Sequence, residues 1–267
     1  MPVDRIHWVD LPEQARNAVE QHTGPILNAQ TATAGANSGI ATTLHTLSTS
    51  VFVKGVPADH PQARTQQREA DIAPHLPPSC PRLLWRVQTA GWDLLGYEHF
   101  TGRHADYSPD SADLPLIAAA VNELQSAPCP PIGLKQADQR WAAYTTTPEP
   151  FAGQTLLHTD LAPHNVLISD RAHLIDWAWP TRGAAWIDPA VLILRLMEAG
   201  HTAPTADHWT HTHIPSWQAA PPVAVTAFSA ANATLWDDIA RKDAQDWKKN
   251  MARHAHDWLT YWRSSTK

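Results

Sequence analysis

With 267 residues, 43% of them hydrophobic, a formal charge of −6 and a pI near 6.2, the chain can bury one large core or two smaller ones, and it lacks the basic excess that drives nonspecific nucleic-acid binding. Its two cysteines, Cys80 and Cys129, each stand beside a proline and argue against a disulfide framework or a cysteine zinc site. No stretch approaches the ~20 apolar residues that span a bilayer, and acids and prolines interrupt the first residues where a secretory signal needs an apolar run, so a cytoplasmic protein without nucleic-acid or membrane partners is expected.

In chain order, Ile26 to Ala34, Ile40 to Leu47 and Val51 to Val56 are rich in threonine and valine and read as antiparallel strands. Gly35-Ala-Asn-Ser-Gly39 forms the turn between the first two. Pro61 to His75 reads as a helix ending before Pro77, and Arg82 to Gln88 and Trp92 to Tyr97 as two further strands. Beyond Gly102 the pattern turns helical, which puts a boundary near Glu98 to Arg103 and divides the chain into domains over 1–99 and 100–267. Leu114, Ile117, Val121 and Leu124 recur at helical spacing and predict a buried stripe. Asp188-Pro189 reads as a helix start, with the helix passing Val191, Leu194 and Leu196 to stop at Gly200. Thr202 to Pro222 reads as a lid or substrate-side loop; its His208, His211 and His213 lack the carboxylate or cysteine geometry of a metal site. The last helix places Trp247, Met251, Trp258 and Trp262 on one face, expected to be core.

The chemistry concentrates in Leu156-Leu-His-Thr-Asp-Leu-Ala-Pro-His-Asn-Val-Leu-Ile-Ser169 and the following Asp170-Arg-Ala-His-Leu-Ile-Asp-Trp177. His158, Asp160 and Asn165 stand in the pattern H-x-D-x-x-x-x-N, ahead of two apolar strands, a polar turn and Asp176. Pairing Val166 to Ile168 with Leu174 to Ile175 brings the strand ends together, so Asn165 and Asp176 are expected side by side at one rim. Hard oxygens there suit Mg²⁺, which keeps phosphate and water for its remaining positions. Asp160, one loop earlier, could accept a hydroxyl proton. Taken singly, Asp160 would be a turn cap and Asp176 a strand end; the spaced set with its hairpin favours chemistry.

This segment resembles the catalytic loop and metal hairpin of the aminoglycoside phosphotransferase and choline kinase-like family, in which H-x-D-x-x-x-x-N is followed by I-D-W or I-D-F. The resemblance implies an α+β, protein-kinase-like bilobal fold with a small antiparallel-sheet N-lobe and a mainly helical C-lobe. It implies ATP and Mg²⁺ as cofactors, Asp160 as catalytic base, Asn165 and Asp176 as metal ligands, and His158 as a structural residue. Thr159 stands where protein kinases carry arginine, so control through activation-loop phosphorylation is not expected. Lys54, at the end of the alternating Val51-Phe-Val-Lys54, is implied to contact the α- and β-phosphates and to be held by Glu69, with Asp71 as the competing acid. Ser38 and backbone N–H groups of its turn would approach the β- and γ-phosphates, although an ordinary hairpin turn explains that composition equally. The carbonyl of Tyr97 and the N–H of His99 would hold adenine. Asp188 would support the catalytic loop, with simple helix capping as an equal alternative.

The reaction implied is transfer of the γ-phosphate of ATP to a hydroxyl of a small molecule, such as an antibiotic, sugar, amino alcohol or related metabolite. The connection from Asp176 to Asp188 is too short for the platform on which protein kinases dock a polypeptide. Asp237, Asp238, Asp243, Asp246 and Asp257 interleave with Lys242, Lys248, Lys249 and Arg253, so a polycationic acceptor is not favoured over a neutral one. Trp209, Trp217 and Trp236 are candidates for apolar pocket walls or for core. A peptide-modifying kinase of natural-product biosynthesis and a nucleotide-binding pseudokinase module stay open as alternatives; the joint presence of Asp160, Asn165 and Asp176 argues against the second.

Overall fold

The computed structural model describes residues 5–33 and 38–265. It divides into two compact units, Met1–Gly102 with Ile175–Ala178, and Arg103–Leu174 with Trp179–Lys267. The class is α+β, as expected.

Among the described residues the first unit is a five-stranded antiparallel sheet with two α-helices. Its elements are α1 (Glu13–Thr23), β1 (Asn28–Thr31), β2 (Ile40–His45), β3 (Ser50–Pro57), α2 (Ala63–Ile72), β4 (Leu83–Thr89) and β5 (Trp92–Glu98), with sheet order β1-β2-β3-β5-β4. Alternation decides the faces: Val51 and Val53 of β3 are buried while Phe52 and Lys54 point the other way. Trp8, Leu11, Ala15 and Val19 return to one side of the N-terminal segment and close a core with Ile40, Leu44, Val87 and Leu94. Gly96 of β5 permits this packing, because a Cβ there would lie 2.2 Å from the Trp85 ring. Helix α1 lies outside the expected elements, although Pro12 and Gly24, with φ +77°, bracket it as start and stop. β1 is shorter than the expected strand, and Gly35, Ala36 and Asn37 of the expected turn lie outside the described residues.

The second unit is mainly helical. It comprises β6 (Arg103–His104), α3 (Leu114–Ser126), β7 (Lys135–Gln136), α4 (Ala137–Trp141), β8 (Thr155–Leu157), β9 (Val166–Ile168), β10 (Ala172–Leu174), β11 (Thr181–Gly183), α5 (Ile187–Glu198), α6 (Ala203–His213), α7 (Pro215–Gln218), α8 (Pro222–Lys242) and α9 (Asp246–Ser265). The predicted α3 stripe is the buried one. Helix α5 is apolar on nearly every side and runs through the interior, where α6 and α9 pack on it. Trp141, Phe151, Trp186 and Phe228 form an aromatic cluster with centroids 5.1–6.1 Å apart, mostly edge-to-face. The hairpin of β9 and β10 pairs Val166 with Leu174 and Ile168 with Ala172, so its second strand ends one residue earlier than expected.

Two expectations fail here. Thr202 to Pro222 is not a loop: Thr202 caps α6 by accepting the N–H of Thr205, Pro204 fits the first turn, and Ala203, Ala206 and Thr210 supply a buried stripe. Trp247 is not core. It opens α9 with 45% of its surface exposed and meets Trp236 edge-on, whereas Met251 and Trp258 are buried. Among the described residues no helix is long and apolar enough to cross a membrane.

Candidate active site

In the first unit, strand alternation aims Lys54 away from the core and α2 supplies its partner. Gln66 donates from Nε2 to the backbone carbonyls of Lys54 (3.1 Å) and Asp93 (2.9 Å), which pins α2 to the sheet. Glu69, one turn later on that face, is buried with its Oε2 2.8 Å from Lys54 Nζ. Asp71 points elsewhere and accepts from Gln67, so Glu69 is the acid that pairs with Lys54. Lys54 Nζ also lies 2.8 Å from Asp176 Oδ1. Burial opposes the lysine charge, but the Asp176 and Glu69 carboxylates outweigh it and hold the ammonium above its ordinary value. Burial pushes the Glu69 carboxyl up to about 7, with Lys54 opposing and the Asp176 charge adding. Asp176 adopts φ +63°, a left-handed conformation that a non-glycine residue keeps only where its surroundings impose it.

The adenine-side expectations fall at the end of β5. Tyr97 pairs in register with Phe52 and Leu83. Its phenol reaches toward Glu69, with burial first and the Glu69 charge second raising its pKa well above the usual value. His99 follows the strand, half-buried and edge-on to His45; burial, then His45, lowers its pKa. Ser38 is half-buried beside Gly39, whose carbonyl accepts the N–H of Ile6.

In the second unit the loop from His158 to Asn165 is held from below by α5. Asp188, fully buried, accepts the N–H of His158 on Oδ2 and of Thr159 on Oδ1, both at 2.8 Å. The α5 N-cap makes no side-chain bond, so Asp188 supports the loop rather than capping its own helix. Burial raises its pKa, and these two bonds oppose the rise. Thr159 has φ +65° and is over-determined: Arg140 donates to its Oγ1 (2.5 Å) and to Thr181 Oγ1 (2.6 Å). The N–H of Asp160 donates to His158 Nδ1 (3.3 Å), and Asn165 Nδ2 donates to the carbonyl of Asp160 (3.0 Å). The Asp160 carboxylate is left 38% exposed, 3.2 Å from Arg195 Nη2.

No protein-family model matches the sequence, and neither does any curated protein. Solved structures do match in fold. Choline kinase LicA from Streptococcus pneumoniae superposes with a TM-score of 0.61 at 13% identity, covering 93% of this chain and 99% of that one. Aminoglycoside phosphotransferase APH(4)-Ia gives 0.59 at 11% identity over 90% and 97%. Its thermostable N203A mutant, in ternary complex with AMP-PNP and hygromycin B, gives 0.62 at 13% over 92% and 99%. The chain has the choline kinase and aminoglycoside phosphotransferase fold.

Within this fold, two side chains at the His158 to Asn165 loop escaped sequence reading: Arg140 and Arg195. Arg195 carried a signal, being a lone charge in the apolar run Val191-Leu-Ile-Leu-Arg-Leu-Met197, seven residues after Asp188. Other candidates fall away from the site. Trp217 is buried against Trp258 and Trp262, and its Nε1 donates to Asp207, so it is core. His208, His211 and His213 share α6, His213 stacks on Trp209, and no metal-holding group of three or more His, Cys, Asp or Glu occurs among the described residues. Of the five C-terminal acids, Asp238 lies beside Arg241 and Lys242, Asp243 beside Lys248 and Asp246 beside Lys249, and Asp237 meets His256.

Proposed function

We propose that the protein transfers the γ-phosphate of ATP to a hydroxyl of a small molecule. The observation that carries this reading is Lys54, held 2.8 Å from both Glu69 and Asp176. A half-buried lysine held between a helix acid and a hairpin acid is a cation fixed in place, and a nucleotide phosphate is the anion such a group fits. In this reading Lys54 binds the α- and β-phosphates, Ser38 approaches the β- and γ-phosphates, and backbone groups of Tyr97 and His99 hold adenine. Asp160 orients the acceptor hydroxyl and receives its proton as the phosphorus–oxygen bond forms, while ADP leaves with the pair from the bond that breaks.

Asn165 and Asp176 each present a hard oxygen. The amide nitrogen of Asn165 is committed to the Asp160 carbonyl, which turns its Oδ1 to other use. Such donors fit Mg²⁺, which would neutralise phosphate charge when bound. Lys54 would then exchange Asp176 for a phosphate oxygen.

The named neighbours, a choline kinase and an aminoglycoside phosphotransferase with hygromycin B, support a small-molecule acceptor. The pairing of Asp238, Asp243 and Asp246 with lysine or arginine favours a neutral or weakly charged acceptor over a polycation. Half-buried Trp236, beside the exposed Trp247 and under Arg195, is the aromatic surface nearest in chemistry to an acceptor wall. The test is Mg²⁺-dependent transfer from ATP to a panel of small alcohols, read by mass spectrometry. A phosphorylated alcohol and equimolar ADP are expected; nucleotide binding without transfer to any alcohol would leave a binding module instead.

A further inference from the structure

Three polar side chains interrupt the apolar surface of α5: Asp188, Arg195 seven residues later and Glu198 three beyond that. At 3.6 residues per turn these spacings return to one side of the helix. Asp188 takes two backbone N–H groups of the catalytic loop. Arg195, only 8% exposed, takes a side chain of that loop: its Nη2 lies 3.2 Å from Asp160 Oδ1 while its Nη1 lies 2.9 Å from Glu198 Oε2. Its guanidinium stands over the Trp236 ring at 5.7 Å and donates to Met251 Sδ at 3.7 Å. The Asp160 carboxylate has no other hydrogen-bond partner among the described residues. A leucine would fill this place in the helix, and a buried guanidinium gains little stability from ion pairs. Its bridging geometry, however, sets a direction. Two nitrogens of one planar fork hold two carboxylates, so Glu198 fixes the plane in which Arg195 presents its second nitrogen to Asp160.

We infer that Arg195 is a positioning residue for phosphoryl transfer, holding the Asp160 side chain in the rotamer that faces the acceptor hydroxyl. The inference rests on the transfer reading given above. Without Arg195, a carboxylate this exposed samples several staggered wells, and only a fraction of them aim at the acceptor. The loss therefore falls on turnover and leaves nucleotide affinity alone.

The test uses the full chain, ATP·Mg²⁺ as ligand and water as phosphoryl acceptor, so that no acceptor need be known. Calorimetry gives the Kd for ATP·Mg²⁺, steady-state ADP release gives kcat and KM, and thermal unfolding checks the fold. Arg195→Met is expected to lower kcat about 10-fold or more with ATP KM and Kd within about twofold of wild type, and Arg195→Lys to recover part of the loss. A kcat for Arg195→Met within about twofold of wild type, an ATP KM raised as much as kcat falls, or a lysine variant no better than methionine would each overturn the inference. If Arg195→Met does not fold, Arg195→Lys carries the test: it keeps the charge without the fork, so kcat should fall roughly three- to tenfold at constant KM, and an unchanged kcat overturns the role. Wild-type protein that fails to bind ATP·Mg²⁺ refutes the transfer reading itself, whereas binding and hydrolysis indifferent to Arg195 refute only the positioning role. Binding without any ADP release by wild type counts against both.

Discussion

Asp160 and Asp188 serve the same loop in different ways: one leaves its carboxylate partly open to solvent, the other is buried and commits both oxygens to backbone N–H groups. Their removal should therefore be felt differently. Asp160→Asn keeps the shape and is expected to lower turnover by ~10² or more with ATP affinity nearly unchanged; near wild-type kcat would remove Asp160 from the chemistry. Asp188→Ala strands two buried donors and should cost about 2–5 kcal/mol of stability in denaturant unfolding, with the loop losing its form. Glu69 adds a pH dependence. Its carboxyl titrates at about 7 in the folded chain, against 4.5 for an unperturbed glutamate. A raised folded value gives stability that is complete at low pH and is lost as pH rises from about 4.5 through about 7. The melting temperature of the metal-free wild type, taken relative to Glu69→Gln, should fall over that window and level off above it; a flat difference would show that Glu69 is ionised throughout. At this scale the sequence singled out Asp160 and Asn165 by their spacing and Lys54 by the family resemblance. It did not reveal Arg140 or Arg195, because a single arginine acquires its meaning from the partners the fold brings to it.

Elements were legible where one period dominated. The β3 strand alternates from Ser50 to Lys54 and the α3 stripe repeats, so each declares its buried face, whereas β5 buries Asp93 to Gly96 in a row. Helix α1 was less visible because its mean character is polar and its apolar side is completed by Trp8 and Leu11, which lie outside it. The α6 segment, rich in His and Thr, hides its small buried stripe of Ala203, Ala206 and Thr210 among residues that suit loops. Trp247 illustrates the converse: period alone placed it with Met251 and Trp258, but it stands in the first turn of α9, past the reach of the core. The β4–β5 hairpin allows a stability test. Ala90 and Gly91 form its two-residue loop, both with positive φ (49° and 77°), the sign pattern of a type I′ turn. Asparagine tolerates that conformation better than alanine, so Ala90→Asn should raise stability by about 0.5–1 kcal/mol in chemical denaturation. A loss instead would mean that the packing of the Ala90 methyl outweighs its backbone strain.

Across the whole molecule, the fold is shared with solved phosphotransferases at 11–13% identity over at least 90% of the chain. So little identity leaves the core free to vary, which is why apolar patterning pointed to the class and only the short segment from His158 to Asp176 pointed toward chemistry. The acceptor was not legible, because the tryptophans and charges of the C-terminal third serve equally as core and surface. The most direct measurement is a single-turnover experiment with ATP labelled on the γ-phosphate, Mg²⁺ and a panel of small alcohols, comparing wild type with Asp160→Asn. Label moving to one alcohol in step with ADP formation, and slowed ~10² or more in the variant, is the expected result. Transfer at equal rates in both proteins, or label that never leaves ATP although the nucleotide binds, would contradict it.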